Sequence, residues 1–473
     1  MQKKTKIVAT MGPAIDSKEK LRELINNGLN VMRINFSHAT YSDTKKRIKI
    51  LSELNKELDT YVAWMCDTKG PEIRLHMIKD DQVYLEKNKF INIHMQEVLG
   101  TATDISVTYK DLVNCVSKGS KILIDDGKIE LEVVDIANDL IVTKILNSGY
   151  ISSKKGVNVP NTILKMEYLS SKDIADIAFA CENNASYIAA SFVRRKEDVE
   201  SVRKQCSKNN RQDMQIIAKI ENQEGVDNID EILAEADGIM VARGDLGTEV
   251  PMEEVPLIQI SLCEKCNDLG KPIIIATHML DSMERNPRPT RAEVGDVARA
   301  VTDGADAVML SGETAKGDYP VLALESMAKI VTRAETTIDH SKIIKKFIDD
   351  ISLNPYDGIG ISAVELAAKI GAKAIFCFTE SGATARQISK YRPTCPIYAL
   401  SQHENTLFSL ALYWGVIGRI KGVYTSIESK YDIVNLEAKR IGLANKDYVL
   451  ITGGHPDGTP ITNFLKILEV NFE

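Results

Sequence analysis

The amino-acid sequence predicts an α/β protein built on a (β/α)8 TIM barrel, with an inserted all-β lid and a C-terminal α/β domain of open-sheet type. Three observations carry this prediction. Short apolar runs alternate with amphipathic helical stretches from Lys6 to Asp67, the spacing of parallel-sheet units. Between about Gly70 and Val159 that rhythm gives way to period-two alternation, and then it resumes. Three strands before the interruption and five after it make eight, the count that closes a barrel.

In order, the apolar run 7–10 predicts a first strand, followed by a helix over 17–27. The run 31–35 is followed by a helix over 41–58, and 61–66 leads into Asp67. In the inserted stretch, Asp126-Gly127 reads as a hairpin turn between two alternating strands. Strands are then expected at 187–190, 216–220, 238–242, 272–277 and 307–310. Thr290 and Glu293 form a T-x-x-E capping box that opens one of the intervening helices. A polar stretch through Asn354 and Pro355 introduces the last region, where 374–378, 396–400 and 448–452 are buried-strand candidates. The expected domains are therefore a barrel over 1–69 and 159–340, a lid over 70–158, and a C-terminal domain over 341–473.

Composition narrows the class. With 473 residues the chain has room for two to four domains at ~150 residues each. Its 59 basic and 66 acidic residues leave a net charge of −7, which argues against a nucleic-acid partner. Uncharged runs reach only 14 residues, between Glu404 and Arg419, too short to span a membrane. The N-terminus runs straight into a strand-like segment and lacks the apolar core of a signal peptide. Eight scattered cysteines show no disulfide framework and fit a reducing cytoplasm.

In a (β/α)8 barrel, chemistry sits at the C-terminal ends of the strands. Here those ends read Arg33-Ile34-Asn35 into Ser37-His38, Asp67-Thr68-Lys69, Lys219-Ile220-Glu221, Arg243-Gly244-Asp245, Thr277-His278 and Ser311-Gly312-Glu313-Thr314. Residues at i and i+2 share a strand face, so Arg33 with Asn35, and Lys219 with Glu221, are expected to point the same way. Glu221 and Asp245 supply the two carboxylates with which proteins commonly hold magnesium. Lys219, Arg33 and Arg74 supply positive charge for a phosphoryl group in transfer. The backbone of Gly244-Asp245-Leu246-Gly247 follows a strand and suits a small carboxylate. Asn35, Ser37, Asp67 and Thr68 offer oxygen donors with a single negative charge, a set suited to a monovalent cation.

Other motifs are weaker. Gly358-Ile359-Gly360-Ile361-Ser362-Ala363 matches a dinucleotide fingerprint but lacks the preceding strand that such a site needs, and reads as a helix start. Cys263 and Cys266 lie in a helical stretch without a second pair, as buried thiols rather than zinc ligands. His403-Glu404 lacks the second histidine of a zinc-protease helix, and no Walker A loop is present. The loop Thr379-Glu380-Ser381-Gly382-Ala383-Thr384-Ala385-Arg386 follows a strand and opens a helix. Its Thr379, Ser381 and Thr384 could bind an effector phosphate or simply cap the helix, and Glu380 disfavours a doubly charged ligand there.

Taken together, these stretches resemble the pyruvate kinase family. The resemblance rests on Val31 to His38, Asp67 to Arg74, Ile217 to Gly225, Ala242 to Gly247, Asn286 to Glu293 and Met309 to Ala315, spread over residues 5 to about 320 in the family's order. It implies transfer of the phosphoryl group of phosphoenolpyruvate to ADP, giving pyruvate and ATP. It also implies Mg2+ or Mn2+ on Glu221 and Asp245, and K+ on Asn35, Ser37, Asp67 and the Thr68 carbonyl. Lys219 then stabilises the migrating group, and Arg33 and Arg74 contact phosphates. With Arg74, Asn35 and His38 are assigned to nucleotide binding. The Gly244-Asp245 backbone and the Thr277 hydroxyl receive the carboxylate and enolate end. The lid closes over nucleotide.

A homotetramer is also implied, and the stiff, exposed Asn286-to-Arg291 loop can reach a neighbouring subunit or serve as a rigid lead-in to its helix. The allosteric effector expected at the C-terminal loop is a sugar phosphate or a nucleoside monophosphate. Glu72, where some members carry lysine, implies a potassium requirement. Three departures stand out: His278 for the usual glutamine, Glu167 for a proline, and Asn161 for a glycine. A metal-dependent lyase or aldolase acting on pyruvate-like acids is the alternative within this fold. A non-catalytic barrel would be expected to have lost Lys219, Glu221 or Asp245.

Overall fold

The computed structural model describes residues 3–349, 355–421, 427–454 and 461–472. Six of the expected barrel strands are buried at every position: Lys6–Thr10, Ala63–Asp67, Tyr187–Ala190, Gly238–Ala242, Ile273–Ala276 and Ala307–Leu310. Such continuous burial is what a parallel strand covered on both faces requires. With Val31–Asn35 and Gln215–Ile220 they close an eight-stranded barrel in chain order. The first strand pairs in parallel with the eighth through Lys6 and Ala307 and with the second through Val8 and Val31. The predicted fold class is the observed one.

Helix boundaries follow capping chemistry. Ser17 accepts a hydrogen bond from Lys20 N to start the helix Lys18–Asn26, and Thr40 does the same with Asp43 N for Tyr41–Leu58. The Thr290–Glu293 capping box is formed in both directions at the helix Arg291–Thr302.

Residues 73–158 build antiparallel structure of their own: a seven-stranded sheet, with one parallel pair at its edge, and a two-stranded ribbon. Inward positions such as Ile91, Ile93, Ile122, Leu131 and Ile141 are fully buried and form one apolar core, the product of period-two patterning. The hairpin at Asp126-Gly127 joins Lys121–Ile124 to Ile129–Ala137. Asp125, Asp126 and Gly127 all take left-handed φ, at 54°, 57° and 80°, a run tolerated best by aspartate, asparagine and glycine.

The C-terminal sheet runs Val416–Ile420, Ile397–Ser401, Ile375–Phe378, Tyr448–Gly453 and Phe464–Glu469, the last antiparallel to its neighbour. The two outer strands lie beyond the three expected, because each carries polar residues or exposed positions typical of a sheet edge. Gly358 and Gly360 lie within the helix Pro355–Ile370. A Cβ at Gly360 would stand 2.6 Å from Tyr391 Cε2, so close ring packing accounts for that glycine. Cys263 and Cys266 are buried in the helix Val255–Leu269, and burial raises both thiol pKa values. By packing, the chain falls into two compact units, 1–66 with 182–188 and 260–473, and 67–181 with 189–259.

Candidate active site

The second unit contains a tightly charged cluster. Lys219 lies in the fifth barrel strand and Glu221 follows that strand directly, two positions on, so both side chains leave the same face. Lys219 Nζ is 2.9 Å from Glu221 Oε1, 3.2 Å from Asp67 Oδ1 and 2.7 Å from Ser191 Oγ. All four side chains are buried, Glu221 and Asp67 to 1% exposure. Glu221 Oε2 accepts the backbone N–H of Phe192 at 2.6 Å, and Phe192 holds a left-handed φ of 55° to present it. Such strain at a non-glycine residue is commonly retained at functional sites.

Burial pushes the Glu221 carboxyl up to about 7, with the Lys219 ammonium opposing and the Asp245 charge adding to the rise. Asp245 lies in the first turn of the helix Arg243–Glu249 and is raised mainly by burial, then by the charges of Asp126, Asp67 and Glu72 against the pull of Lys219. Asp126 belongs to the hairpin of the inserted sheet, so that hairpin acts electrostatically on Asp245. Asn158 Nδ2 donates to Glu249 Oε1 at 2.7 Å and ties the last strand of the insert to the same helix. Glu72 Oε2 accepts from Arg74 Nε at 2.8 Å and lies 3.9 Å from Lys69 Nζ.

Glu221 and Asp245 are a donor pair matched to magnesium, which keeps water and substrate oxygens for the rest of its shell. Among the described residues, no group of three or more His, Cys, Asp or Glu side chains could hold a metal. A nearby positive charge favours the ionised form of a carboxyl, whereas burial raises the pKa of both of these.

In the other unit, Arg33 is 7% exposed on the second strand and donates from Nη1 to Thr10 Oγ1 at 2.8 Å. Thr10 Oγ1 in turn donates to Leu310 O at 2.9 Å. Asn35 Oδ1 accepts from Ser37 N at 3.0 Å, and Asn35 O accepts from His38 N at 3.2 Å, which fixes the turn after that strand. Thr277 and His278 both hold left-handed φ, 65° and 55°. For a β-branched residue such as Thr277 this is a pronounced outlier. Thr68 lies in the second unit, where its Oγ1 accepts from Ser191 N at 3.2 Å and its carbonyl from Ser191 Oγ at 2.7 Å. Gly244 stands beside Asp245 in the first helical turn.

In the C-terminal loop, Thr379 Oγ1 accepts from Gly382 N at 2.9 Å, and Thr384 pairs with Thr462 through their hydroxyls at 2.9 Å. Both threonines are buried, while Ser381 is exposed at the start of the helix Ala383–Lys390. The Glu380 carboxylate lies 3.0 Å from His403 Nε2.

Comparison with known proteins decides the family. Residues 2–324 match the family described as the pyruvate kinase barrel domain, and 357–468 match the pyruvate kinase alpha/beta domain. The chain belongs to the pyruvate kinase family. The pyruvate kinase of Bacillus licheniformis is 47% identical over 99% of this chain and 80% of its own length. That of Geobacillus stearothermophilus is 48% identical with the same coverage, and that of Staphylococcus aureus strain MRSA252 is 46% identical over 98% and 80%.

Several polar residues of this chain lie outside the sequence-derived set. Thr10 and Ser191 end or follow the first and fourth strands, the two strand ends that motif reading passed over. The rule about C-terminal strand ends would have named both. Arg194 is also new. Its guanidinium pairs with Asp198 and donates to Leu164 O at 2.8 Å and Met166 O at 3.2 Å, holding the segment that leaves the insert. In that segment Asn161 has φ 58°, so the position expected from the resemblance to be glycine demands left-handed backbone, which asparagine tolerates. Glu167 is exposed and buries no charge.

Proposed function

We propose that this chain is a pyruvate kinase that moves the phosphoryl group of phosphoenolpyruvate to ADP, giving pyruvate and ATP in the last step of glycolysis. The observation that carries the reading is the Lys219 ammonium, buried among Glu221, Asp67 and Ser191 at 2.7–3.2 Å. A positive charge held rigidly at low dielectric costs no reorganisation when charge develops on a transferring group.

In this reading Lys219 stabilises the phosphoryl group in flight, and Arg33 orients the phosphate of phosphoenolpyruvate from the second strand. The Gly244-Asp245 backbone, in the first turn of its helix, takes the substrate carboxylate. The Thr277 hydroxyl serves the enolate end. Arg74, Asn35 and His38 bind nucleotide, with Arg74 oriented by Glu72. Glu221 and Asp245 would hold Mg2+ or Mn2+, which when bound would neutralise phosphate charge. Asn35, Ser37, Asp67 and Thr68 supply oxygen donors for K+. After transfer the enolate collapses to the ketone, which makes the step strongly favourable.

The domain reading goes with it: a barrel over 1–69 and 159–340, a lid over 70–158 that excludes water on closure, and a C-terminal domain over 341–473. A monophosphate effector acts at Thr379, Ser381 and Thr384. Assembly is a homotetramer, and a monomer of full activity by light scattering would contradict that part. All eight cysteines are free thiols, and no described helix is long and apolar enough to cross a membrane; a cytoplasmic location is the reading in keeping with the free thiols.

A lyase or aldolase on the same barrel would share the carboxylate pair but would not form ATP. The test is therefore simultaneous measurement of pyruvate and ATP from phosphoenolpyruvate and ADP. Equal amounts of both products support the kinase, and pyruvate without ATP overturns it.

A further inference from the structure

Away from the barrel mouth, a cavity of about 280 Å3 lies beside Arg392. Residues from the helices Val255–Leu269, Arg291–Thr302 and His340–Ile348 line it. Arg392 is 6% exposed and adopts a left-handed φ of 49°. Its Nη2 donates to Asn267 Oδ1 at 2.7 Å and Gly304 O at 2.9 Å, and stands 2.9 Å from Asp306 Oδ1. The guanidinium is stacked over Trp414 with its carbon 5.1 Å from the ring centroid. So one edge of the fork is pinned, one face is covered, and the buried Nη1 is without a partner among the described residues. Buried polar groups are almost always satisfied, so a donor spared in this way, on a residue lining a cavity, points to an acceptor brought by a ligand.

A second cation joins it. Lys390 also lines the cavity, with its ammonium 5.0 Å from the Phe347 ring and 5.5 Å from that of Tyr391. Among the described residues no ion pair holds it, whereas Lys346 on the same wall is paired with Asp268. Val301, Ile343 and Phe347 supply the apolar part of the wall, and the carboxylates lining it are Glu264 and Asp268, the latter paired with Lys346.

We propose that this cavity binds a small phosphate monoester carried on a compact apolar body, with the phosphate oxygens on Arg392 and Lys390 and the body against Val301, Ile343 and Phe347. An oxyanion with three terminal oxygens can accept from both cations at once, and charge-assisted bonds of this kind are the strong ones. Arg392 also holds the barrel-helix residues Asn267 and Gly304, so an occupant would act on the packing between those helices and the C-terminal region. The site is separate from the 379–386 loop and does not depend on the activity assigned above.

The test is calorimetry on the full-length protein with phenyl phosphate as probe, run beside phenol and inorganic phosphate. Phenyl phosphate should bind with Kd below about 1 mM, and each half-ligand at least about tenfold more weakly. Thr302→Trp, at an exposed residue lining the cavity, should abolish binding while circular dichroism and thermal unfolding show the fold intact. Lys390→Ala should weaken binding about tenfold or more. Absence of binding at about 10 mM, unchanged binding in Thr302→Trp, or loss in Thr384→Ala instead, which would place the anion at the 379–386 loop, would each overturn the proposal.

Discussion

Ser191 Oγ stands 2.7 Å from Lys219 Nζ and 3.2 Å from Asp67 Oδ1. A hydroxyl after the fourth strand thus links the lysine of the fifth to the carboxylate of the third. Its one proton goes either to Asp67 or to the Thr68 carbonyl at 2.7 Å, leaving an oxygen lone pair to accept from the ammonium. Ser191→Ala should lower kcat about tenfold or more, the scale of a hydrogen bond to a charged group. The KM for phosphoenolpyruvate should change much less, and Ser191→Thr should recover most of the loss. Equal changes in kcat and KM, without rescue by threonine, would reduce Ser191 to a packing role.

Metal binding should depend on pH through Glu221. Burial holds its carboxyl near 7, and a ligand must be deprotonated to bind a cation. The apparent Mg2+ affinity is therefore expected to rise as pH increases through about 7 and to level off above it. The sign for folding is the opposite. A carboxyl raised in the folded state favours the metal-free fold below its ordinary value of 4.5, and that advantage is lost as pH rises towards about 7. Thermal unfolding with and without Mg2+ across this range checks both, since added Mg2+ should stabilise more at pH 8 than at pH 6.

Activity should require potassium. Glu72 adds negative charge close to Arg74 and Lys69, where a lysine in other members would itself supply a cation. Glu72→Lys should restore part of the rate in potassium-free buffer. Asp67 already pairs with Lys219, so Ser37→Ala is a cleaner probe of the ion than Asp67→Ala and should weaken potassium activation. The measurement is initial rate against potassium, with tetramethylammonium keeping ionic strength constant. A flat curve for the unmutated protein would contradict the assignment.

Arg194 should matter to stability more than to chemistry. Its buried pair with Asp198 is the kind whose one-sided removal costs about 3–5 kcal/mol. Arg194→Ala should lower Tm by several degrees or more and loosen the segment at Leu164 and Met166. Thermal unfolding with limited proteolysis at that segment reads both effects, and a Tm unchanged from the parent would show that the pair contributes little.

Much of this molecule was legible because its signals are local. The barrel strands announce themselves as unbroken apolar runs, and Lys219 with Glu221 obeys the two-residue period of a strand. The capping box at Thr290 needs only four residues to be read. What stayed hidden depends on residues far apart in sequence or on backbone shape. The role of Ser191 appears only when the fourth strand lies beside the fifth. Neither the carbonyls that Arg194 holds nor the left-handed turn at Thr277 leaves a pattern in composition or periodicity. Asn161 lies between these cases. It is visible as a departure from glycine, and it is explained once its φ of 58° is known.

The most direct test of the central claim is the initial rate of ATP and pyruvate formation from phosphoenolpyruvate and ADP, with Mg2+ and K+, in the parent and in Lys219→Met. The parent should form both products in equal amounts. Lys219→Met should turn over at least ~100-fold more slowly while phosphoenolpyruvate binding changes much less. A parent that forms no ATP, or a well-folded Lys219→Met protein with near-normal turnover, would contradict it.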